Sequence, residues 1–142
     1  MRLFIAAVLV LHGLITAAQS AGSFGSTASS GIQNPSWVSW WPTNLGQSWL
    51  LSWLGLEKAP FTWIGGVLWL AGGLALAAAG LGALGFVVPA DWWRPLAVAG
   101  AAISLFMLIV CLHPLTFIGT GLSIAILIAL LWVDWPPTSL VP

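Results

Sequence analysis

Few side chains in this sequence can do chemistry. Two histidines, one cysteine, three acids and three bases are spread over 142 residues. Cys111 and His113 are the nearest approach to a ligand pair. A zinc site needs three or four such ligands, and no other candidate stands near them in sequence. His113 therefore reads first as an interfacial residue closing an apolar run just before Pro114. His12 is different, because it lies inside the apolar run Leu3–Ala18. Ionisable groups within a membrane are costly and usually functional. At 1.5 Å per residue His12 falls roughly 15 Å along a helix from Arg2, near mid-membrane. One reading makes it a neutral structural histidine bonded to Ser104, Thr116, Thr120 or Ser123. The other makes it a ligand to a quinone, pigment or haem. His12 and His113 fall at different depths, which disfavours a shared haem. Asp91 and Asp134 fall on the side opposite His113, so no Ser–His–Asp arrangement forms. No phosphate-cradling motif occurs, and no acid or base lies inside a predicted span. These features disfavour a pump, a proton relay or a carboxylate active site, and lean away from an enzyme.

Any such residue must be positioned by membrane helices. The sequence is 60% hydrophobic and 4% charged, against roughly 25% charged in soluble domains. Three acids and three bases cannot clothe a water-soluble surface. The lipid bilayer is thus the first partner, and the lack of a basic cluster excludes nucleic acid. A bilayer-spanning helix needs about 20 apolar residues. Four stretches approach that length: about 3–18, 62–88, 95–112 and 115–133. They predict one all-α integral membrane domain over residues 1–142, a four-transmembrane-helix bundle with residues 19–60 as an external segment. The first stretch is short, and the small residues of "AAQSA" resemble a signal-peptide cleavage site. His12 is a poor residue for a signal core, so the expectation is a retained first helix, with cleavage near Ser20 as the alternative. Arg2 and Arg94 fall on one side of this map and Lys58 on the other. Basic residues accumulate in the cytoplasm, so both termini are expected inside the plasma membrane.

The eleven tryptophans mark the two boundaries. Trp92, Trp93, Trp132 and Trp135 form an expected inner belt, and Trp37, Trp40, Trp41, Trp49, Trp53 and Trp63 an outer one. Residues 19–36 are Ser/Gly-rich and predict irregular chain. "NLGQSWLLSWLGL" then predicts a short interfacial helix starting near Thr43 or Asn44, with Trp49 and Trp53 on one face. The outer tryptophans Trp37, Trp40, Trp41, Trp49 and Trp53 are candidates for a lipid anchor, a ligand lid or a docking surface for another membrane subunit.

Lipid tails are as apolar as leucine, so small residues must draw the helices together. The second span carries Ala71, Ala75, Ala79 and Ala83 at intervals of four, and Gly66, Gly73 and Gly80 at intervals of seven. The fourth carries Gly121, Ala125 and Ala129. These ladders predict a bundle centred on the second span. They also suit self-association. Pro95 and Pro114 suit the first turns of the third and fourth spans.

The motifs "LHGL", "GQSWLL", "GVLWLAGG" and "DWWRPLAV" with "AISL" resemble small bacterial four-span membrane proteins, loosely DoxX-like, over about two thirds of the chain. Some DoxX-like proteins are quinone-linked redox subunits, so the resemblance implies a hydrophobic cofactor near His12. Related sequences often carry a second histidine three or four residues on. Here His12 is followed by Gly13, Leu14, Ile15 and Thr16. The leading expectation is a non-catalytic accessory or assembly subunit of a larger membrane complex, binding other subunits or itself. A quinone- or pigment-binding redox accessory comes second, and a small transporter third.

Overall fold

The computed structural model describes residues 1–24, 31–56 and 61–137. Its helices are α1 (Arg2–Ala18), α2 (Ser20–Phe24), α3 (Trp49–Leu54), α4 (Phe61–Gly82), α5 (Trp93–Val110) and α6 (Phe117–Leu131). Short 3-10 turns precede α5 and α6 at Ala90–Trp92 and Pro114–Thr116. Pro95 stands in the first turn of α5 and Pro114 opens the turn before α6, where a missing N–H is harmless. Four helical stretches are long and apolar enough to cross a membrane: Arg2–Phe24, Phe61–Gly82, Ala90–Val110 and Pro114–Leu131. The protein is an all-α, four-helix membrane-type bundle.

The element limits differ from the sequence reading in three places, each for a local reason. The first span continues through α2 to Phe24, in a stretch expected to be irregular. Phe24 packs on Gly66 of α4, and its ring centroid lies 5.0 Å from that of Trp63. That contact outweighs the turn preference of Ser20, Gly22 and Ser23. Residues 25–30 of the Ser/Gly stretch lie outside the described residues, as do Glu57 and Lys58. The second span stops at Gly82 rather than near Val88. Gly85 takes a left-handed φ of 80°, and Phe86 N–H donates to Leu81 O at 2.9 Å while Gly85 N–H donates to Gly82 O at 2.9 Å. This pair of bonds is the Schellman termination that glycine permits. The external helix begins at Trp49, because Gly46 at φ 83° breaks the chain before it. Its cap is Ser48, whose Oγ accepts Leu51 N–H at 3.0 Å, and not Thr43 or Asn44.

Helix α4 lies at the centre, with α1 and α2 on one side and α5 on the other, and α6 packs on α5. Glycine pairs set the two central seams. A Cβ built on Gly73 would lie 2.4 Å from Ala17 N and 2.5 Å from Gly13 O, so α1 and α4 touch backbone to backbone. Gly66 and Gly80 extend the same seam against Phe24 and Val10. On the opposite face, a Cβ on Gly100 would lie 2.9 Å from Gly72 O, closing α4 on α5. Close approach of this kind maximises dispersion contacts where lipid offers no hydrophobic drive. The alanine ladder divides. Ala79 and Ala83 are in the core, Ala75 is half-buried and Ala71 faces outward. Gly121 and Ala125 also face outward, and a Cβ on Gly121 would meet nothing within 4 Å. Only Ser123 and Ile126 of α6 are buried.

Candidate functional site

Two polar constellations occupy the bundle. The first is at mid-helix. His12, 5% exposed, places Nε2 2.9 Å from Ser123 Oγ. Ser123 Oγ donates to Ser104 Oγ at 3.4 Å, and Thr16 Oγ1 lies 3.3 Å from Ser104 Oγ. With Ser123 donating onward, His12 Nε2–H is the donor to Ser123. Four side chains from α1, α5 and α6 thus satisfy one another in apolar surroundings. The arrangement ties α6, the least buried span, to α1 across the bundle. Of the four expected partners of His12, Ser123 bonds it directly and Ser104 indirectly. Thr116 Oγ1 donates to His113 O and Thr120 Oγ1 to Thr116 O, so those hydroxyls serve their own helix. Thr16 is one helical turn from His12, a spacing that marks it as a neighbour on the same face.

Interhelical hydrogen bonds in membrane proteins average about 0.6 kcal/mol and reach about 1.7. His12→Leu should therefore destabilise the bundle by about 1 kcal/mol, because Ser123 keeps Ser104. Thermal unfolding in one detergent checks this, and a change above about 3 kcal/mol would mean that His12 carries more than a hydrogen bond.

The second constellation is a cap at the end of the bundle where α5 stops and α6 starts. His113 is 0% exposed. Its Nδ1 accepts Leu115 N–H at 3.2 Å, which caps the turn leading into α6. That bond fixes the tautomer, so Nε2–H donates to Asn34 Oδ1 at 3.0 Å. Asn34 Nδ2 in turn donates to Thr43 O at 2.9 Å. Ile32 and Leu45 pair by two backbone hydrogen bonds of 2.9 and 3.0 Å, closing the external chain into a loop. The loop also satisfies orphan carbonyls at the end of α5. Trp49 Nε1 donates to Ile109 O at 2.7 Å and Ser48 Oγ to Val110 O at 3.1 Å. Just past the helix, Trp41 Nε1 donates to Leu112 O at 3.3 Å. Trp41 stands edge-on to His113 and Phe117. Asn34, the centre of this cap, carries no sequence signal, because its partner is 79 residues away.

The outer tryptophans therefore split by role. Trp41 and Trp49 turn their indole N–H groups into the bundle. Trp37, Trp40 and Trp53 stand outward, at 66, 69 and 78% exposure. At the other end Trp92 and Trp132 are exposed, while Trp93 leaves the expected belt for the core beside Ala97 and Ala83. Cys111 is buried, and burial pushes its thiol up to about 11 despite a hydrogen bond with Ser48. The thiolate is the metal ligand and the nucleophile, so Cys111 is poorly prepared for either part. Among the described residues no three His, Cys, Asp or Glu side chains gather as a metal site. No family model, curated protein or solved structure matches this chain.

Proposed function

We propose that this protein is a non-catalytic subunit of a larger membrane complex, acting in its assembly or stabilisation. One contrast carries the reading: His12 and His113 are bonded inside the molecule, whereas Trp37, Trp40 and Trp53 are held outward on a fastened cap. Tryptophan offers a large contact area with few rotamers to immobilise, which makes it a frequent anchor at interfaces. A cap tied to α5 and α6 presents these rings already ordered, so docking costs little further entropy. The partner is another integral membrane subunit. The bundle sits in the plasma membrane with both termini cytoplasmic. Arg2 and Arg94 support that orientation, since both lie at the end opposite the cap.

Native mass spectrometry after mild-detergent release from the source membrane tests the proposal. The expected species is this chain with a different membrane subunit, and a lone monomer at every detergent strength would count against it. Trp37→Ala with Trp40→Ala should weaken the complex by about 2 kcal/mol, roughly thirtyfold in Kd, and cost the isolated chain no more than the edge contact of Trp40 with Trp41, about 1 kcal/mol. A hydrophobic cofactor at His12, the role a DoxX-like kinship suggests, would appear in the same spectrum as a small-molecule adduct lost in His12→Leu.

A further inference from the structure

At the end of the bundle opposite the cap, α1 and α6 do not seal. The seams of α4 close on glycine pairs, but the small residues Gly121 and Ala125 of α6 face away from α1. Below the His12–Ser123 bond the two helices meet only through side chains, and an apolar groove remains. Its walls include Ile5, Leu9, Trp93, Ile126, Leu130 and Pro136. The space within it is about 90 Å³, room for about three groups the size of a water or a methylene at roughly 30 Å³ each. One turn of a helix roughly 10 Å across and 5.4 Å in pitch needs about 400 Å³. A spanning helix of a partner therefore does not fit, whereas a few methylenes of a single hydrocarbon chain do.

The mouth is not apolar. The Arg94 guanidinium lies 5.6 Å from the centroid of the Trp93 ring and donates to Pro136 O at 2.6 Å, so it is packed on two residues of the groove wall. It also donates to Asp134 O at 3.3 Å and forms an ion pair with the Asp134 carboxylate, which is 83% exposed. This pair has no net charge. An anionic headgroup gains from Arg94 and is repelled by Asp134. A headgroup carrying both signs meets both partners, phosphate against Arg94 and ammonium against Asp134, and only a primary ammonium has N–H groups to donate to the Asp134 carboxylate, since a trimethylated nitrogen has none.

We infer that the groove between α1 and α6 holds a segment of one acyl chain of a phospholipid with a primary-amine headgroup, seated on the Arg94–Asp134 pair. The apolar walls supply retention, and the ion pair supplies headgroup choice.

The test uses the full chain reconstituted in vesicles of equal parts phosphatidylethanolamine, phosphatidylglycerol and phosphatidylcholine, all with palmitoyl and oleoyl chains. The protein is then extracted gently and weighed intact. One bound phosphatidylethanolamine per chain is expected, enriched roughly threefold over its share, the scale of an exposed ion pair. Ala129→Trp fills the groove and should remove the adduct. Asp134→Asn, a change at an exposed side chain, should retain lipid but favour phosphatidylglycerol. Adducts that simply follow the vesicle composition, or that survive Ala129→Trp in a folded protein, would overturn the groove assignment. Enrichment of phosphatidylglycerol or phosphatidylcholine by the unaltered chain would overturn the headgroup assignment.

Discussion

Gly73→Leu should part α1 from α4 and destabilise the protein by about 3 kcal/mol, the upper end of the usual cost of overpacking a core. The new side chain would begin 2.4 Å from Ala17 N and 2.5 Å from Gly13 O. Those atoms belong to backbone, so no rotamer change relieves the clash and the helices must move apart. The sign makes the experiment decisive. Leucine is a better helix former than glycine by about 1 kcal/mol, so without the packing role the substitution would stabilise. Gly121→Leu provides that case, because a Cβ there meets nothing within 4 Å. Unfolding of both variants in one detergent should give opposite signs, or at least a gap of several kcal/mol. Equal behaviour would remove the glycine seam as the main clamp of the bundle.

Acidification should loosen the cap, and His113 should be responsible. Burial holds its pKa below the ordinary 6.5, which the unfolded chain retains. Between these two values the unfolded state binds more protons, so stability falls as pH falls. The contribution of neutral His113 is complete above about pH 6.5 and is lost progressively as pH drops towards and through the lowered folded value. The geometry gives the cause. Nδ1 is the acceptor for Leu115 N–H, so a proton there sets two donors face to face. It also places positive charge at the N-terminus of the α6 segment, where the helix dipole opposes it. The only titratable neighbour in the described chain beside it is Cys111, whose thiol, at about 11, stays neutral throughout. Unfolding free energy followed from pH 8 to pH 4 should fall, with a limiting slope of about 1.4 kcal/mol per pH unit for one proton. His113→Asn keeps an N-capping side chain and should flatten that component, at a cost of about 1 kcal/mol at pH 8. An unchanged slope in this variant would assign the pH dependence elsewhere.

The two results bear on the same question, namely what keeps the exposed tryptophans in place. The glycine seam fixes the helices, and the His113–Asn34 bond fixes the loop on their ends. If Trp37 and Trp40 are docking anchors, then acid and His113→Asn should weaken partner binding before the bundle itself unfolds.

Four apolar runs separated by Pro, Trp and charged residues were enough to place this chain in a membrane as an all-α protein. In hydrocarbon every backbone polar group must be satisfied within its own segment, so such a run has helix as its open choice. Pro95 and Pro114 marked helix starts because proline lacks the N–H that a first turn does not need. His12 stood out because an ionisable group within a span is rarely idle. These are local or solvent-imposed rules, readable one residue at a time. Tertiary structure decided the rest. Gly73 and Gly121 look alike as small residues in apolar helices, yet one is clamped against backbone and the other is open, because helix rotation is set by all the contacts of the bundle together. Asn34 finds His113 only when a loop folds back across 79 residues. The groove between α1 and α6 arises because α6 turns Gly121 and Ala125 outward, and because Ala129, which does line it, is met from α1 by Phe4, Ile5, Val8 and Leu9 and by no glycine that would let the backbones touch.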